Sequence, residues 1–176
     1  MTTTTNILVL GPEGSGKTLL IKRLQYLASN HVDAEFGEIP SSVPTVGNDI
    51  VQLKLNNKEY TVREIGGAMA PIWKNYYKTA DALIYVINKS NQFQISASYI
   101  MLLTMLSHNA VKGKRVLILL NKTDFSSTFS FQQLEQIFRL DDLRKICGCD
   151  RIQVVQCSCL NKEGFEAILH WTENIN

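Results

Sequence analysis

Short apolar runs alternate with helix-period stretches along the whole chain, and this alternation most restricts what the chain can become. Ile7-Leu8-Val9-Leu10, Ala82 to Ile87, Arg115 to Leu120 and Ile152 to Cys157 are the strand-like runs, several of them almost continuously apolar, as strands buried on both faces are. Between them lie segments with apolar residues at helical spacing, the first carrying Leu20, Leu24 and Leu27 at i, i+4 and i+7. Strands and helices in such alternation read as βαβ units and a mostly parallel sheet. Ile50 to Leu55 and Glu59 to Ile65 flank Asn56-Asn57-Lys58, which predicts a hairpin and the one antiparallel element. Pro71 is expected to open a short helix with Ile72, Trp73, Tyr76 and Tyr77, and Ser41 to Gly47 a loop. Ile95 to Leu106 reads as a helix, Ser130 caps another containing Leu134, Ile137 and Phe138, and Gly164 to Trp171 begins the last.

Composition narrows the function classes. The chain has 176 residues, 45% of them apolar, with 18 Lys+Arg against 16 Asp+Glu. One domain with a real core fits that length, and disorder does not fit that apolar content. A net charge of +2, without a block of five like charges, is too weak to make nucleic acid the main partner. Residues 1 to 6 contain no basic or apolar leader region, and no window approaches a membrane span, so the expected location is cytoplasmic. Thr2 stands where myristoylation needs Gly and the last four residues lack Cys, so no direct lipid anchor is expected. Cys147, Cys149, Cys157 and Cys159 flank a strand-like segment about 20 Å long at about 3.3 Å per residue. Such a separation suits reduced thiols rather than one zinc ion.

Gly11-Pro12-Glu13-Gly14-Ser15-Gly16-Lys17-Thr18 matches G-x-x-x-x-G-K-[ST] between a strand and a helix, the context such a motif requires. Glycines let backbone N–H groups curl around phosphate oxygens, and a helix N-terminus adds partial positive charge. Lys17 reaches the β and γ phosphates and the Thr18 hydroxyl ligates Mg²⁺. The alternative, a glycine-rich turn holding nothing, has no use for Lys-Thr. Asn121-Lys122-Thr123-Asp124 follows the strand ending at Leu120 and names the base. A carboxylate at Asp124 accepts from guanine's ring N–H and exocyclic amine, and would face a lone pair on adenine. Lys122 lies along the base and Asn121 ties the two loops together.

The two motifs, their order and the intervening hairpin resemble the Ras-type small GTPases, and in detail the Arf-like branch. Pro44-Thr45-Val46-Gly47 resembles the P-T-[IV]-G of the Arf switch I, Arg63-Glu64-Ile65-Gly66-Gly67 the W-D-x-G-G, and Pro71 to Tyr77 the segment P-L-W-x-x-Y-[FY]. The resemblance implies a Ras-like P-loop fold, a six-stranded mixed sheet with one antiparallel strand and about five helices, spanning residues 7 to 176 behind a disordered segment of residues 1 to 6. It implies GTP/GDP and Mg²⁺ as ligands. Thr45 joins Thr18 on the metal, Gly67 gives its N–H to the γ-phosphate, Glu13 lies close by, and the Ser158-Cys159-Leu160 backbone reads the guanine carbonyl. As bland readings, Thr45 and Gly67 are turn residues, Glu13 is solvated, and Trp73, Tyr76, Tyr77 and Tyr60 are packing residues. His31, His108 and His170 have no partner pattern.

Departures from the pattern shape the expected activity. Residue 68 is Ala where the family carries the Gln that orients the attacking water, so no catalytic side chain is assigned and hydrolysis is expected to be very slow. Glu64 replaces the Asp of the Mg²⁺ shell, the stretch from Gly67 to Pro71 is two residues shorter, and no amphipathic helix precedes the first strand. The expectation is a monomeric GTP-binding switch serving vesicular or ciliary trafficking, with effectors and regulators at switch I, the interswitch hairpin and switch II. A nucleotide-stabilised scaffold and an ATP-using relative are the rivals, and Asp124 opposes the second.

Overall fold

The computed structural model describes residues 4–29 and 47–175. In chain order these form β1 (Thr5–Leu10), α1 (Lys17–Ser29), β2 (Asn48–Leu55), β3 (Lys58–Ile65), β4 (Ala82–Asn88), α2 (Gln92–Ser107), β5 (Arg115–Asn121), α3 (Phe131–Ile137), α4 (Leu140–Cys147), β6 (Ile152–Gln156) and α5 (Phe165–Glu173). Two 3-10 segments, Gly67–Asn75 and Tyr77–Thr79, join β3 to β4. The sheet order is β2-β3-β1-β4-β5-β6, with β2 antiparallel to β3 and every other pair parallel. Because β1 sits between β3 and β4, the chain leaves it toward one side of the sheet and later returns on the other. Ligands of open α/β sheets bind at such a switch point, beyond the carboxyl ends of the strands.

Side-chain alternation divides the core into two layers. On β4, whose residues are all buried, Ala82, Ile84 and Val86 face a cluster with Leu20 and Leu24 of α1 and Phe165 and Trp171 of α5. Leu83, Tyr85 and Ile87 face the opposite cluster, with Trp73, Leu102 and Phe138. Trp73 and Tyr85 meet edge to face at 6.3 Å, and the Tyr85 hydroxyl donates to the Ser98 carbonyl at 2.8 Å. Trp73, Tyr77 and Tyr60 are thus core residues, while Tyr76 is half-buried.

Local chemistry sets several boundaries. Asn56 and Asn57 both have left-handed φ, 47° and 64°, the geometry of a two-residue turn whose twist suits a hairpin. Lys58 therefore already belongs to β3, pairing with Leu55. Ser130 caps α3, accepting from the Gln133 N–H at 3.2 Å while Gln133 Oε1 accepts from the Ser130 N–H at 2.8 Å.

Three expectations are corrected. β1 starts at Thr5 rather than residue 7, and Asn6 is fastened by its N–H and Nδ2, which donate to Asp81 Oδ2 at 2.7 and 3.1 Å. Pro71 lies inside a 3-10 segment that begins at Gly67, instead of opening a helix. The helix after Ser130 ends at Ile137 with Phe138 as its cap rather than within it, Arg139 takes a left-handed φ of 45°, and a separate α4 follows. No Gly or Pro marks that break, and Phe138, Leu140 and Leu143 all reach the core across it. Most of the predicted loop at Ser41 to Gly47 lies outside the described residues.

Burial pushes the Tyr77 phenol up to about 12 and raises Tyr60 and Tyr85 as well. An unfolded tyrosine titrates near 10. The folded protein therefore binds these protons more tightly, and its stability is complete below pH 10 and declines as the pH rises through the folded values. Melting temperature is expected to fall above pH 10, with late phenolate absorbance at 295 nm, and Tyr77→Phe should flatten the decline between pH 10 and 12.

Candidate nucleotide site

The loop between β1 and α1 is compressed from two sides. A Cβ on Gly11, whose φ is 144°, would fall 2.2 Å from the Val86 carbonyl oxygen, and one on Gly16, with φ 100°, would fall 2.2 Å from Asn121 Nδ2. Only glycine fits where β4 and the β5 end press on this turn. Gly14 has φ 70° and open space around it. Lys17 folds back across the loop, its ammonium donating to the Gly11 and Pro12 carbonyls at 3.0 and 2.9 Å. Burial pulls its pKa below the usual lysine range, against the raising pull of Glu64 and Glu13. Ser15 Oγ is buried without a hydrogen-bond partner among the described residues. The first N–H groups of α1 have no intrahelical acceptor, and its first turn carries no acid. Anionic oxygens suit this cradle.

Asn121 joins the loop to the rest of the site. Its Nδ2 donates to the Ser15 carbonyl at 2.8 Å, and its Oδ1 accepts from the Cys159 N–H at 3.2 Å and the Cys157 thiol at 3.7 Å. One buried side chain at the end of β5 therefore touches the loops after β1 and β6. Lys122 follows with a left-handed φ of 70°. Asp124 is exposed, and its Oδ1 accepts from the Ser158 hydroxyl. Ser158 Oγ in turn accepts from the Leu160 and Asn161 N–H groups at 3.2 and 3.3 Å. The Asp124 carboxylate, the only acid of Asn121 to Asp124, is thereby held by the loop of Ser158, Cys159 and Leu160.

At the phosphate end, Thr18 Oγ1 donates to Glu64 Oε1 at 2.8 Å, bringing the end of β3 to the start of α1. Gly67 abuts the loop so closely that a Cβ there would fall 2.2 Å from the Glu13 nitrogen. Glu13 itself is exposed. Thr45 lies outside the described residues, as does His31. Two neighbours escape a reading of the sequence. Gln94 of α2 donates through Nε2 to the Glu13 carbonyl at 3.2 Å, and the Trp73 indole donates to the Gly66 carbonyl at 3.2 Å. Gln94 lies in no motif, and Trp73, though part of the Pro71 to Tyr77 segment, is marked there only as a packing residue. The four cysteines are free, and no group of three or more His, Cys, Asp or Glu among the described residues is arranged to hold a metal. No helix of the described residues is long and apolar enough to cross a membrane.

A sheet of this order, with the loops after β1 and β6 tied together at its carboxyl edge, has the fold of the small GTPases. The small GTPase Arl6 (BBS3) of Trypanosoma brucei, solved with the nucleotide analogue GppNp, has the same fold, with a TM-score of 0.76 at 21% identity over 99% of this chain and 100% of that one. The profile of the ADP-ribosylation factor family matches residues 1–175, and the chain belongs to that family. ADP-ribosylation factor-like protein 16 of Homo sapiens is 37% identical over 166 residues, 94% of this chain and 83% of the relative. ADP-ribosylation factor-like protein 1 of Caenorhabditis elegans is 30% identical over 170 residues, 96% and 87% of the two chains.

Asn121→Ala deletes contacts to two loops at once and leaves the Ser15 carbonyl and Cys159 N–H without their partner. Each such loss costs about 1–3 kcal/mol. The variant is expected to melt several degrees lower and to lose at least about a hundredfold in affinity for a fluorescent GDP analogue, roughly 3 kcal/mol, as read by equilibrium titration.

Proposed function

We propose that this chain is a guanine-nucleotide switch of the Arf-like type that binds GTP and GDP with Mg²⁺ and hydrolyses GTP very slowly. The observation that carries the reading is the buried Asn121 amide, which makes the phosphate cradle and the base-side loops one unit. Lys17 and the N–H groups at the start of α1 hold the phosphates, and Asp124, Lys122 and the Ser158-Cys159-Leu160 backbone hold guanine. Mg²⁺ is held by the hydroxyls of Thr18 and Thr45, with Glu64 beside it. The Thr18 hydroxyl and Glu64 carboxylate, 2.8 Å apart, are the hard oxygen donors such a cation takes. When bound, the metal neutralises charge on the phosphates.

Ala68 is exposed and presents a methyl group, which neither orients water nor accepts a proton. Turnover then depends on positioning and charge from the remaining groups, short by the about 10²–10⁴ that a general base supplies. Switching follows from Gly67 and Thr45, which contact the γ-phosphate only in the loaded form, so that GTP and GDP favour different arrangements of the two loops. Effectors and regulators read those loops and the β2–β3 hairpin, in the cytoplasm, on a monomer, in the service of vesicular or ciliary trafficking.

A second reading, a scaffold that holds nucleotide only for stability, is favoured by the direct contact of Glu64 on Thr18. A metal at Thr18 must share or displace that contact. Hydrogen exchange of residues 40 to 50 and 64 to 78 separates the two, since a switch differs between GDP and GTP-analogue forms and a scaffold does not.

Single-turnover assays are expected to show very slow hydrolysis by the wild type and a rise of at least about tenfold in Ala68→Gln. Wild-type turnover as fast as that of glutamine-bearing relatives would overturn the slow-hydrolysis reading. Titration with labelled GTP, GDP and ATP should show guanine preference, lost with Asp124→Asn, and nucleotide binding lost with Lys17→Ala.

A further inference from the structure

Between β1, β3 and the second 3-10 segment lies a pocket of about 50 Å³, walled by Asn6, Leu8, Thr61 and Thr79 and rimmed by Arg63 and Tyr76. The Arg63 guanidinium sits over the Tyr76 ring, 5.2 Å from its centroid. One terminal nitrogen of Arg63 donates to Asn48 Oδ1 at 3.3 Å, and Asn48 Nδ2 donates to the Tyr76 hydroxyl at 3.3 Å. A half-buried cation is thus held in place by a neutral amide and an aromatic face. Arg63 itself takes part in no ion pair among the described residues. Asp81, the acid bonded to Asn6, takes both of that residue's bonds on Oδ2 and forms no ion pair with Arg63 among the described residues.

The chemistry of the missing partner follows. A guanidinium fixed in orientation presents a planar fork that matches a carboxylate. About 50 Å³ admits a group of a few heavy atoms, but neither a base nor a sugar. A phosphate recognised by a protein surface calls for a cluster of cations, whereas Arg63 is the only cationic residue lining this pocket. Leu8 and the Tyr76 ring supply apolar wall for the methylenes that precede a carboxylate. We infer that this pocket is a docking site for an aspartate or glutamate side chain of a protein partner.

The location couples the pocket to the nucleotide site, and this part rests on the proposed switch. Asn48 adjoins Gly47, whose carbonyl accepts from the Gly66 N–H at 2.9 Å. Arg63 precedes Glu64, which holds Thr18, and Tyr76 ends the segment that starts at Gly67. Each rim residue is therefore chained to a group at the phosphate end. In the W-D-x-G-G pattern that this stretch resembles, the position of Arg63 is a tryptophan, so a partner chosen for an apolar side chain there would meet a cation.

Random twelve-residue phage-displayed peptides, selected on full-length protein loaded with GDP or a GTP analogue, test the inference. Selected peptides are expected to share an Asp or Glu whose change to Asn or Gln weakens binding at least tenfold. Arg63→Met should weaken it equally, the two losses should not add, and Arg63→Lys should rescue part, with melting temperature and nucleotide affinity unchanged. Peptides indifferent to Arg63, Arg63-dependent binding to phosphatidylserine vesicles in place of peptides, or an Arg63-dependent dimer in sedimentation would each overturn it. Nucleotide affinity of the wild type is read separately, so failure of the switch leaves a distinct mark from failure of the pocket.

Discussion

The site is organised around the side-chain amide of Asn121, whose nitrogen and oxygen bond two loops that the sequence separates by more than a hundred residues. A buried amide is costly unless both ends are satisfied, and here both are, in opposite directions. The same geometry dictates Gly16, because a methyl group there would occupy the space of Nδ2. It also places Cys157 and Cys159, two small side chains, at the bottom of the base-side loop. The hydrogen bond to Cys159 raises the Cys157 thiol, and burial raises it further, so Cys157 is a packing group rather than a nucleophile.

The phosphate end runs on a different balance. Lys17 donates to two carbonyls, and its burial lowers its affinity for a proton against the opposing pull of Glu64 and Glu13. A charge left so poorly compensated stabilises no fold by itself. Its presence makes sense when an anion completes the shell, and the same holds for the unpartnered Ser15 hydroxyl. Around this centre the chain brings two close contacts, Gly67 against Glu13 and Glu64 against Thr18, each at the carboxyl end of β3 or just beyond it. Gln94 and Trp73 brace the same loops from α2 and from the 3-10 segment.

Much of this was legible along the chain, for reasons that are local. Apolar runs reveal buried strands because both faces are covered, and Asn-Asn reveals a hairpin because asparagine tolerates left-handed φ. The motifs Gly11 to Thr18 and Asn121 to Asp124 were readable because spacing carries their chemistry. The break at Arg139 was not, since α3 and α4 are separated by how Phe138 and Leu140 pack, with no Gly or Pro to signal it. Nor was the start of β1 at Thr5, which depends on Asp81 arriving from β4's end of the chain to hold Asn6.

Residue order alone settled the class of fold and marked the two motifs proposed to meet phosphate and base, because periodicity and motif spacing are properties of consecutive residues. Which distant groups share a hydrogen bond was decided only by the folded sheet. The meeting of Asn121 with Ser15, of Thr18 with Glu64, and of Arg63 with Asn48 and Tyr76 requires β3, β1, β4 and β5 to end along one edge of the sheet. That alignment is a consequence of strand register and two-layer packing, which no stretch of sequence contains by itself.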